Sequence, residues 1–392
     1  MKHLNIGLFG FGVVGEGIYK VLNEKPNLNL AIRKIVVKDA QKQRNAPDDL
    51  FTVNPDEVLL DNSIDVVVEL IDDAKAAFAI VTQAMKSGKS VVSANKKMIA
   101  ENLEYLLGLQ EACGVSFLYE GAVCGSVPVL RNLEEYFDND LLHYVRGIVN
   151  GSTNYILTQM KQECRSYAHS LESAQQNGFA ESDPTLDVEG VDAAYKLSIL
   201  ALHAFGRIID PLAIPRKGIT ALTESDFQFA EEKGLVIKLI ATGAVSETEN
   251  GLSTHIFPTF LPKNQTLSLV DNEFNGVLIG SGLADEQFLY GKGAGRFPTS
   301  SAVLSDISAL RFNYRYEFKK GKQTGPEARV QEKRKFYLAF NKGVAVDLNI
   351  FETIQERYES NSRQYVIGEI NLNQLDNFDF WRQNDVSLVA FG

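Results

Sequence analysis

Between residues 178 and 196 the chain reads GFAESDPTLDVEGVDAAYK, placing Glu181, Asp183, Asp187, Glu189 and Asp192 ahead of a single lysine, Lys196. Carboxylates at this density repel one another unless each finds a partner, so the stretch is a candidate for acid–base chemistry and for holding a cationic group. From Val191 onward, VDAAYKLSILALHAFG has helical spacing, which sets Asp192 and Lys196 four residues apart on one helix face, within ion-pair reach. On a helix surface such a pair contributes only about a few tenths of a kcal/mol. Here, however, Ala193 to Phe205 is largely apolar and reads as a buried helix. A lysine at the head of a buried helix needs its charge compensated, and Asp192 can supply that. A lysine so placed suits proton transfer, and the acids around it suit a substrate ammonium group.

A second group of residues fits phosphate. LNIGLFGFGVVGEGIYKVL begins as a short apolar strand, turns through Gly10, Gly12 and Gly15, and continues with helical spacing at Val14, Ile18, Val21 and Leu22. The three glycines fit G-x-G-x-x-G, where they allow a tight turn, close approach of backbone to a pyrophosphate, and close helix–strand packing. The helix start, at Val13 and Val14, offers free N–H groups to the phosphates. Apolar runs in LAIRKIVVKD, IDVVVELI and KSVVSAN supply further strands between helical stretches, the pattern of a doubly wound parallel sheet. The second strand ends in Lys38-Asp39, with Lys42 and Arg44 nearby. A cation at that strand end accommodates the 2′-phosphate of NADP, whereas an acid there favours the ribose of NAD. Lys38 holds the position, so NADP is the preferred cofactor, with Asp39 beside it keeping NAD open.

Three more sites follow strand ends. Asn95-Lys96 comes directly after a buried strand, at the edge where open α/β sheets bind ligands, while Lys97 is expected to face water. In FLYEGAVCGSVPVL, Glu120 stands among small residues ahead of Pro128. There it either joins freed carbonyls around a hard monovalent cation or is a buried glutamate satisfied by backbone N–H groups. VNGSTNYILTQM reads as a strand, a turn at Asn150-Gly151, and a helix capped by Ser152 or Thr153, with N–H and hydroxyl groups available to a ligand.

The bulk properties agree with an enzyme of two or three domains. The chain has 392 residues, 45% of them hydrophobic, with 39 basic and 50 acidic residues and a formal charge of -11. No long basic run points to nucleic acid or to an anionic membrane. The glycine-interrupted start is neither a signal peptide nor a membrane span. Cys113, Cys124 and Cys164 lack any CxxC spacing and read as reduced thiols of a cytoplasmic protein, and the histidines show no zinc-ligand spacing.

These stretches together resemble the homoserine dehydrogenase family. GFAESDPTLDVEGVDAAYK, preceded by Ala174, is similar to its signature, with the glycine, Asp-Pro, Asp, Gly-x-Asp and final lysine in register. VNGSTNYIL, SANKKMIA, YEGAVCGSVPVL and GKGAGRFPTSSAVLSD (291–306) resemble further segments of the family, in order, over residues 4 to about 312. The resemblance implies NAD(P)H-dependent, reversible reduction of L-aspartate 4-semialdehyde to L-homoserine, on the route to threonine, methionine and isoleucine. It implies Lys196 as proton donor and acceptor, with Lys96 assisting. Glu181, Asp192, Asp187, Gly151 and Thr153 would bind substrate, Glu181 reaching its amino group. Gly10, Gly12, Val13, Val14, Gly15, Lys38, Lys96, Gly178 and Gly293 would line the cofactor. Glu120 with the carbonyls of Val123, Gly125 and Val127 would form a Na⁺ or K⁺ site. A homodimer or dimer of dimers is the family expectation. Other readings are a different NAD(P)-dependent amino-acid oxidoreductase, or an inactive nucleotide-binding regulator.

Two departures stand out. Many relatives follow the strand VVVELI with a Gly-Gly pair, where this chain has Asp72-Asp73; acids there weaken cofactor binding unless they point away. Ser152 replaces a common threonine and keeps its hydroxyl. The expected organisation is a Rossmann-type domain over 1–130, an α+β catalytic and dimerisation domain over 131–312, and a linker or exposed hairpin over 313–335. Residues 336–392 then read as strand, helix, strand and a final strand. They resemble a degenerate ACT module, with threonine as its effector, and the alternative is a purely structural or dimer-forming extension.

Overall fold

The computed structural model describes residues 3–39, 41–163, 165–246, 251–322 and 332–392. Cys164 lies outside the described residues, as do residues 323–331 of the expected linker; Cys113 and Cys124 form no disulfide among the described residues. None of the described helices is long and apolar enough to cross a membrane. Two compact units emerge, each assembled from three pieces of chain: 1–138, 198–208 and 291–324 in the first, and 139–197, 209–290 and 325–392 in the second.

The first unit is built on six parallel strands, β1 (Leu4–Phe9), β2 (Leu30–Val36), β3 (Phe51–Thr52), β4 (Val66–Glu69), β5 (Ser90–Ser93) and β6 (Phe117–Leu118), in the order β3-β2-β1-β4-β5-β6. This order reverses beside β1, and open sheets of this kind bind ligands outside the carboxyl ends of their strands at that reversal. β1 and β4 are almost wholly buried because helices cover both faces of a parallel sheet, while β2, nearer the edge, carries Arg33 and Lys34 and is mostly half-buried. Of these six strands, β3 alone has no counterpart in the sequence reading; its two residues stand outside any apolar run. Helix Arg296–Leu310 returns to pack on the first helix, Val13–Glu24. Ser300 Oγ donates to the Val14 carbonyl at 3.0 Å, and Arg296 pairs with Glu16 at 2.8 Å. The next segment is not an exposed spacer: Tyr316 and Phe318 are buried, stacked edge-on about the ring of His203 in the case of Tyr316. His203 lies between Glu134 (2.7 Å) and the Tyr119 hydroxyl (3.0 Å).

The second unit holds a nine-stranded mixed sheet of β7 (Leu142–Ile148), β8 (Leu235–Val245), β9 (Leu252–Pro262), β10 (Phe274–Ser281), β11 (Asp285–Lys292), β12 (Lys333–Asn341), β13 (Thr353–Glu359), β14 (Arg363–Asn371) and β15 (Val386–Phe391). Its order is β11-β10-β7-β8-β9-β15-β12-β14-β13.

Here the tail departs from the sequence expectation twice. The expected helix is strand β13, fully exposed at the sheet edge and paired antiparallel with β14. Its sequence, TIQERYE, opens with two β-branched residues, and the neighbouring strand satisfies its backbone. Among described residues after 332 the helical turns are all short 3₁₀ turns, so the helices of an ACT module are absent. Nor is the tail separate: β15 pairs parallel with β9 through Ala390–Thr259 and Phe391–Phe260, and antiparallel with β12. Phe257 of β9, Phe336 of β12 and the fully buried Trp381 share one core. Asp226, buried in helix Glu224–Glu232, ties the join with a single carboxylate. It accepts from the Thr223 N–H, the Tyr337 hydroxyl, Arg363 and the Ser387 hydroxyl at 2.7 to 3.0 Å.

Candidate active site

The acid-rich stretch is resolved partner by partner. Asp183 accepts from both the N–H (3.1 Å) and hydroxyl (2.6 Å) of Thr185 and so starts the short helix Thr185–Val188. Glu189 accepts from the Thr220 hydroxyl at 2.8 Å. Asp187 and Asp192 are bridged by one carboxamide: Asn150 Nδ2 donates to Asp187 Oδ1 at 2.7 Å and to Asp192 Oδ2 at 2.8 Å. Lys196 Nζ lies 2.8 Å from the same Asp192 oxygen and donates to the Val149 carbonyl at 2.6 Å. Glu181 remains exposed. The helix Val191–Phe205 is buried as its composition requires, with Asp192 2% and Lys196 7% exposed.

Asn150 was not among the candidate residues, yet it organises them. The helix Gly151–Gln162 is capped by Asn150, not by Ser152 or Thr153. Asn150 sits in extended conformation, and its Oδ1 accepts from the Thr153 N–H at 2.8 Å. Its amide group thus faces the two acids while its carbonyl faces the helix. Ser152 Oγ instead donates to the Phe179 carbonyl at 2.6 Å, which ties the helix start to the turn at Gly178, where φ is +74°. A sequence signal existed: asparagine before Gly-Ser-Thr is a strong helix cap. What it did not reveal was the pair of acids 37 and 42 residues away.

At the carboxyl edge of the six-stranded sheet, the glycine turn has the geometry a phosphate cradle needs. Gly10 has φ +94°, and a Cβ there would lie 2.8 Å from the Leu70 carbonyl oxygen; a Cβ on Gly15 would lie 2.6 Å from that of Gly10. Around Gly12 there is open space, and Val13 at the helix start is 58% exposed. Bare N–H groups at a helix start, a turn only glycine can make and room beside it fit a dinucleotide pyrophosphate. Lys38 is exposed just beyond β2, and Asp39 turns its carboxylate to the Gln41 N–H at 2.8 Å. Of the two acids after β4, Asp73 caps helix Ala74–Lys86 by accepting from the Ala76 N–H at 2.9 Å. That bond foremost, with Lys38 and Lys75 helping, holds its carboxyl below the usual range. Asp73 is therefore committed to a helix start, while Asp72 is exposed. Lys96 opens the helix Lys96–Glu101, capped by Asn95, and Lys97 is exposed.

Glu120 follows the backbone-satisfied alternative. Its two carboxyl oxygens accept from the N–H groups of Leu130 and Arg131, each at 2.9 Å, and burial pushes it up to about 7. Glu120, Val123 and Val127 are buried in one tight turn, and a Cβ on Gly125 would lie 2.5 Å from the Gly293 carbonyl oxygen. What this turn offers a cation is carbonyl oxygen, with the Glu120 carboxylate already bonded on both sides. Among the described residues there is no cluster of three His, Cys, Asp or Glu side chains.

A 3-2-1-4-5-6 parallel sheet with this glycine turn, and a second unit that buries a lysine against an aspartate, define a nucleotide-dependent oxidoreductase class. Two family models match the chain: "Homoserine dehydrogenase, NAD binding domain" over residues 10–120 and "Homoserine dehydrogenase" over residues 128–308. Homoserine dehydrogenase of Lactococcus lactis is 39% identical over 318 residues, covering 78% of this chain and 73% of that protein. The Bacillus subtilis enzyme is 37% identical over 336 residues, covering 83% and 77%. A crystal structure of a homoserine dehydrogenase from Thiobacillus denitrificans superimposes with a TM-score of 0.86 at 29% identity, over 100% of this chain and 99% of that one. The chain belongs to the homoserine dehydrogenase family, whose members are NAD(P)-dependent oxidoreductases acting on a CH–OH group.

Replacing Asn150 with alanine removes the cap and leaves Asp187 and Asp192 short of a donor. The cap accounts for about 1 kcal/mol of stability. For the buried Asp192 the lost donor costs about 1–3 kcal/mol, and less for the half-buried Asp187. We expect kcat/KM to fall roughly ten- to a hundredfold with a modestly lowered Tm; wild-type kinetics in Asn150→Ala would refute the bridging role.

Proposed function

We propose that this protein oxidises L-homoserine to L-aspartate 4-semialdehyde and catalyses the reverse reduction. The observation that carries the reading is the buried Asp192–Lys196 pair beside the Asn150 turn. A lysine ammonium has three donors. Val149 and Asp192 take two of them, leaving one N–H for a substrate oxygen. In the direction of reduction Lys196 gives that proton to the oxygen as the carbonyl carbon is reduced, and in oxidation it takes the hydroxyl proton back. Asp192 keeps the lysine in place and compensates its charge in both directions. Glu181, exposed and acidic, receives the substrate ammonium; Asp187, Gly151 and Thr153 complete the substrate-binding turn. The nicotinamide, when bound, supplies or accepts the hydride.

Gly10, Gly12, Val13, Val14 and Gly15 bind the pyrophosphate, with Lys96 and Gly293 as further cofactor contacts in the same unit. Lys38 supports NADP as the preferred form, since Asp39 is occupied with Gln41 and Asp73 with its helix. The decisive experiment measures homoserine oxidation with NADP⁺ and NAD⁺ in wild type and Lys196→Ala. We expect turnover in wild type, a larger kcat/KM with NADP⁺, and a fall of about two orders of magnitude or more in the variant. A folded wild type inactive with both cofactors would sink the reading.

The carbonyls of Val123, Gly125 and Val127, with Glu120 holding the turn together, take a monovalent cation. In that case NaCl or KCl raises the Tm above its value in choline chloride at equal ionic strength; equal melting in all three salts rules the cation site out.

A regulatory reading has its own support. A cavity of about 430 Å³ in the second unit is lined by Glu189, Arg216 and Lys217 on one side and by Asp376, Trp381 and Arg382 of the tail on the other. Burial pushes Lys217 down to about 8, and it donates to the Gln383 carbonyl at 2.7 Å. Cations and carboxylates facing one small cavity match an amino-acid zwitterion, and threonine is the effector this reading names. Because β12 and β15 are integral to the sheet, a point substitution tests this better than truncation. Calorimetry with L-threonine should show binding that Arg216→Ala abolishes, and no heat in wild type would end the proposal.

A further inference from the structure

The loops on which the cofactor reading rests are held together by a residue to which that reading gives no role. Glu69 is the last residue of β4, in the middle of the six-stranded sheet, in register with Phe9 of β1 and Ser93 of β5. It is fully buried. Phe9 leads straight into the glycine turn at Gly10, and Ser93 leads into Asn95-Lys96. A glutamate is the wrong residue for packing between two such strands, and its side chain does something a hydrophobic residue cannot.

Its Oε1 accepts from the Ile71 N–H at 2.7 Å, and its Oε2 accepts from the Ser93 hydroxyl at 2.6 Å. The bonds then continue around a closed ring. Ser93 Oγ accepts from the Asn95 N–H at 3.1 Å, and Asn95 Nδ2 donates to the Ile71 carbonyl at 2.9 Å, which returns to the loop Glu69 grips. The free end of the same carboxamide, Asn95 Oδ1, accepts from the Met98 N–H at 3.0 Å and so caps the helix that Lys96 opens. Glu69 is therefore joined, through two side chains, to both the β4 exit carrying Asp72-Asp73 and the β5 exit carrying Lys96. Beside it, the β4 exit also meets the glycine turn, since the Leu70 N–H donates to the Phe9 carbonyl at 2.9 Å.

We propose that Glu69 is a positioning residue for the dinucleotide site, its carboxylate clamping the β4 and β5 exits so that the Asn95–Lys96 turn is presented in one fixed geometry. This inference rests on the dehydrogenase reading for its ligand. The ring closes as drawn when Glu69 is ionised and accepts on both oxygens. Protonated, the group offers a donor of its own, the Ser93 hydroxyl loses its acceptor, and the ring must reorganise. Burial raises this carboxyl to about 7, against the Ser93 and Ile71 hydrogen bonds that lower it, and Asp72 is the nearby charge that raises it further. Phe9, facing it from β1, carries no charge. The clamp is therefore closed on the alkaline side of neutrality and loosens as pH falls through that value.

Glu69→Gln keeps the shape and fixes the group in its neutral form. Titrate NADPH by its fluorescence at pH 6, 7 and 8 in wild type and in Glu69→Gln. The expected result is a wild-type Kd that rises about five- to tenfold from pH 8 to pH 6, and a variant Kd near the wild-type pH 6 value at all three. A variant that melts at a lower temperature but keeps the wild-type pH dependence overturns the proposal, since that is what a merely structural glutamate would do. Amide hydrogen exchange at pH 8 is the second readout and needs no ligand. Faster exchange at Ile71 and Asn95 in Glu69→Gln supports the clamp, and unchanged exchange at both overturns it. If wild type binds no NADPH at any pH, the dehydrogenase reading falls, and the exchange result alone decides the clamp.

Discussion

The packing of the second unit around Asn150 depends on bringing Asp187 and Asp192 together next to Lys196. A carboxylate and an ammonium withdrawn from water, as Asp192 and Lys196 are, would cost several kcal/mol per charge, and an ion pair alone often fails to recover that. The Asn150 carboxamide changes the balance. It is neutral, has two N–H donors on one nitrogen, and puts one on each acid, so each acid gains a donor without a second cation. Lys196 then needs to compensate only one of them. The helix Gly151–Gln162, the short helix carrying Asp187 and the head of the buried helix all meet at this amide, which leaves little freedom in how the polypeptide between them runs.

The same economy of means recurs at Asp226 and Glu69. Each is a buried carboxylate accepting from groups on several elements, and each stands where hydrophobic packing could not specify register. Asp226 binds side chains from β12, β14 and β15 to one helix, and Glu69 binds the two loops that leave the carboxyl ends of the central strands β4 and β5. Where the members of such a buried network are paired, they define a single arrangement more sharply than apolar contacts do.

Much of this was legible in the residues. The glycine turn, the apolar runs of β1, β2, β4 and β5, and the Asp192–Lys196 pair all declare themselves through local spacing, because the period of an element or the reach of four residues is a short-range property. The tail was not legible in the same way. TIQERYE carries no apolar stripe for either period, and what makes it a strand is β14 beside it, a tertiary fact. The role of Asn150 was hidden for the same reason, since its partners lie far along the chain. Glu120 could be read two ways because a buried carboxyl needs donors, and the donors at Leu130 and Arg131 exist only once the turn has closed.

The parallel pairing of β15 with β9 also bears on how the protein reaches its native state. Ala390 and Thr259 are about 130 residues apart in sequence, and β15 stands between β9 and β12 rather than at an edge. Parallel strands brought together over such a distance pay their loop-closure entropy before any contact rewards it, so this join belongs to the slow end of the folding range. Until it forms, β9 and β12 each present an unpaired edge beside a partly assembled aromatic core. Such an edge is a template for another copy of the same strand. The nascent chain is thus most exposed to misassembly in the interval before β15 arrives, and a chaperone that shelters β9 over that interval would act where the protein is weakest.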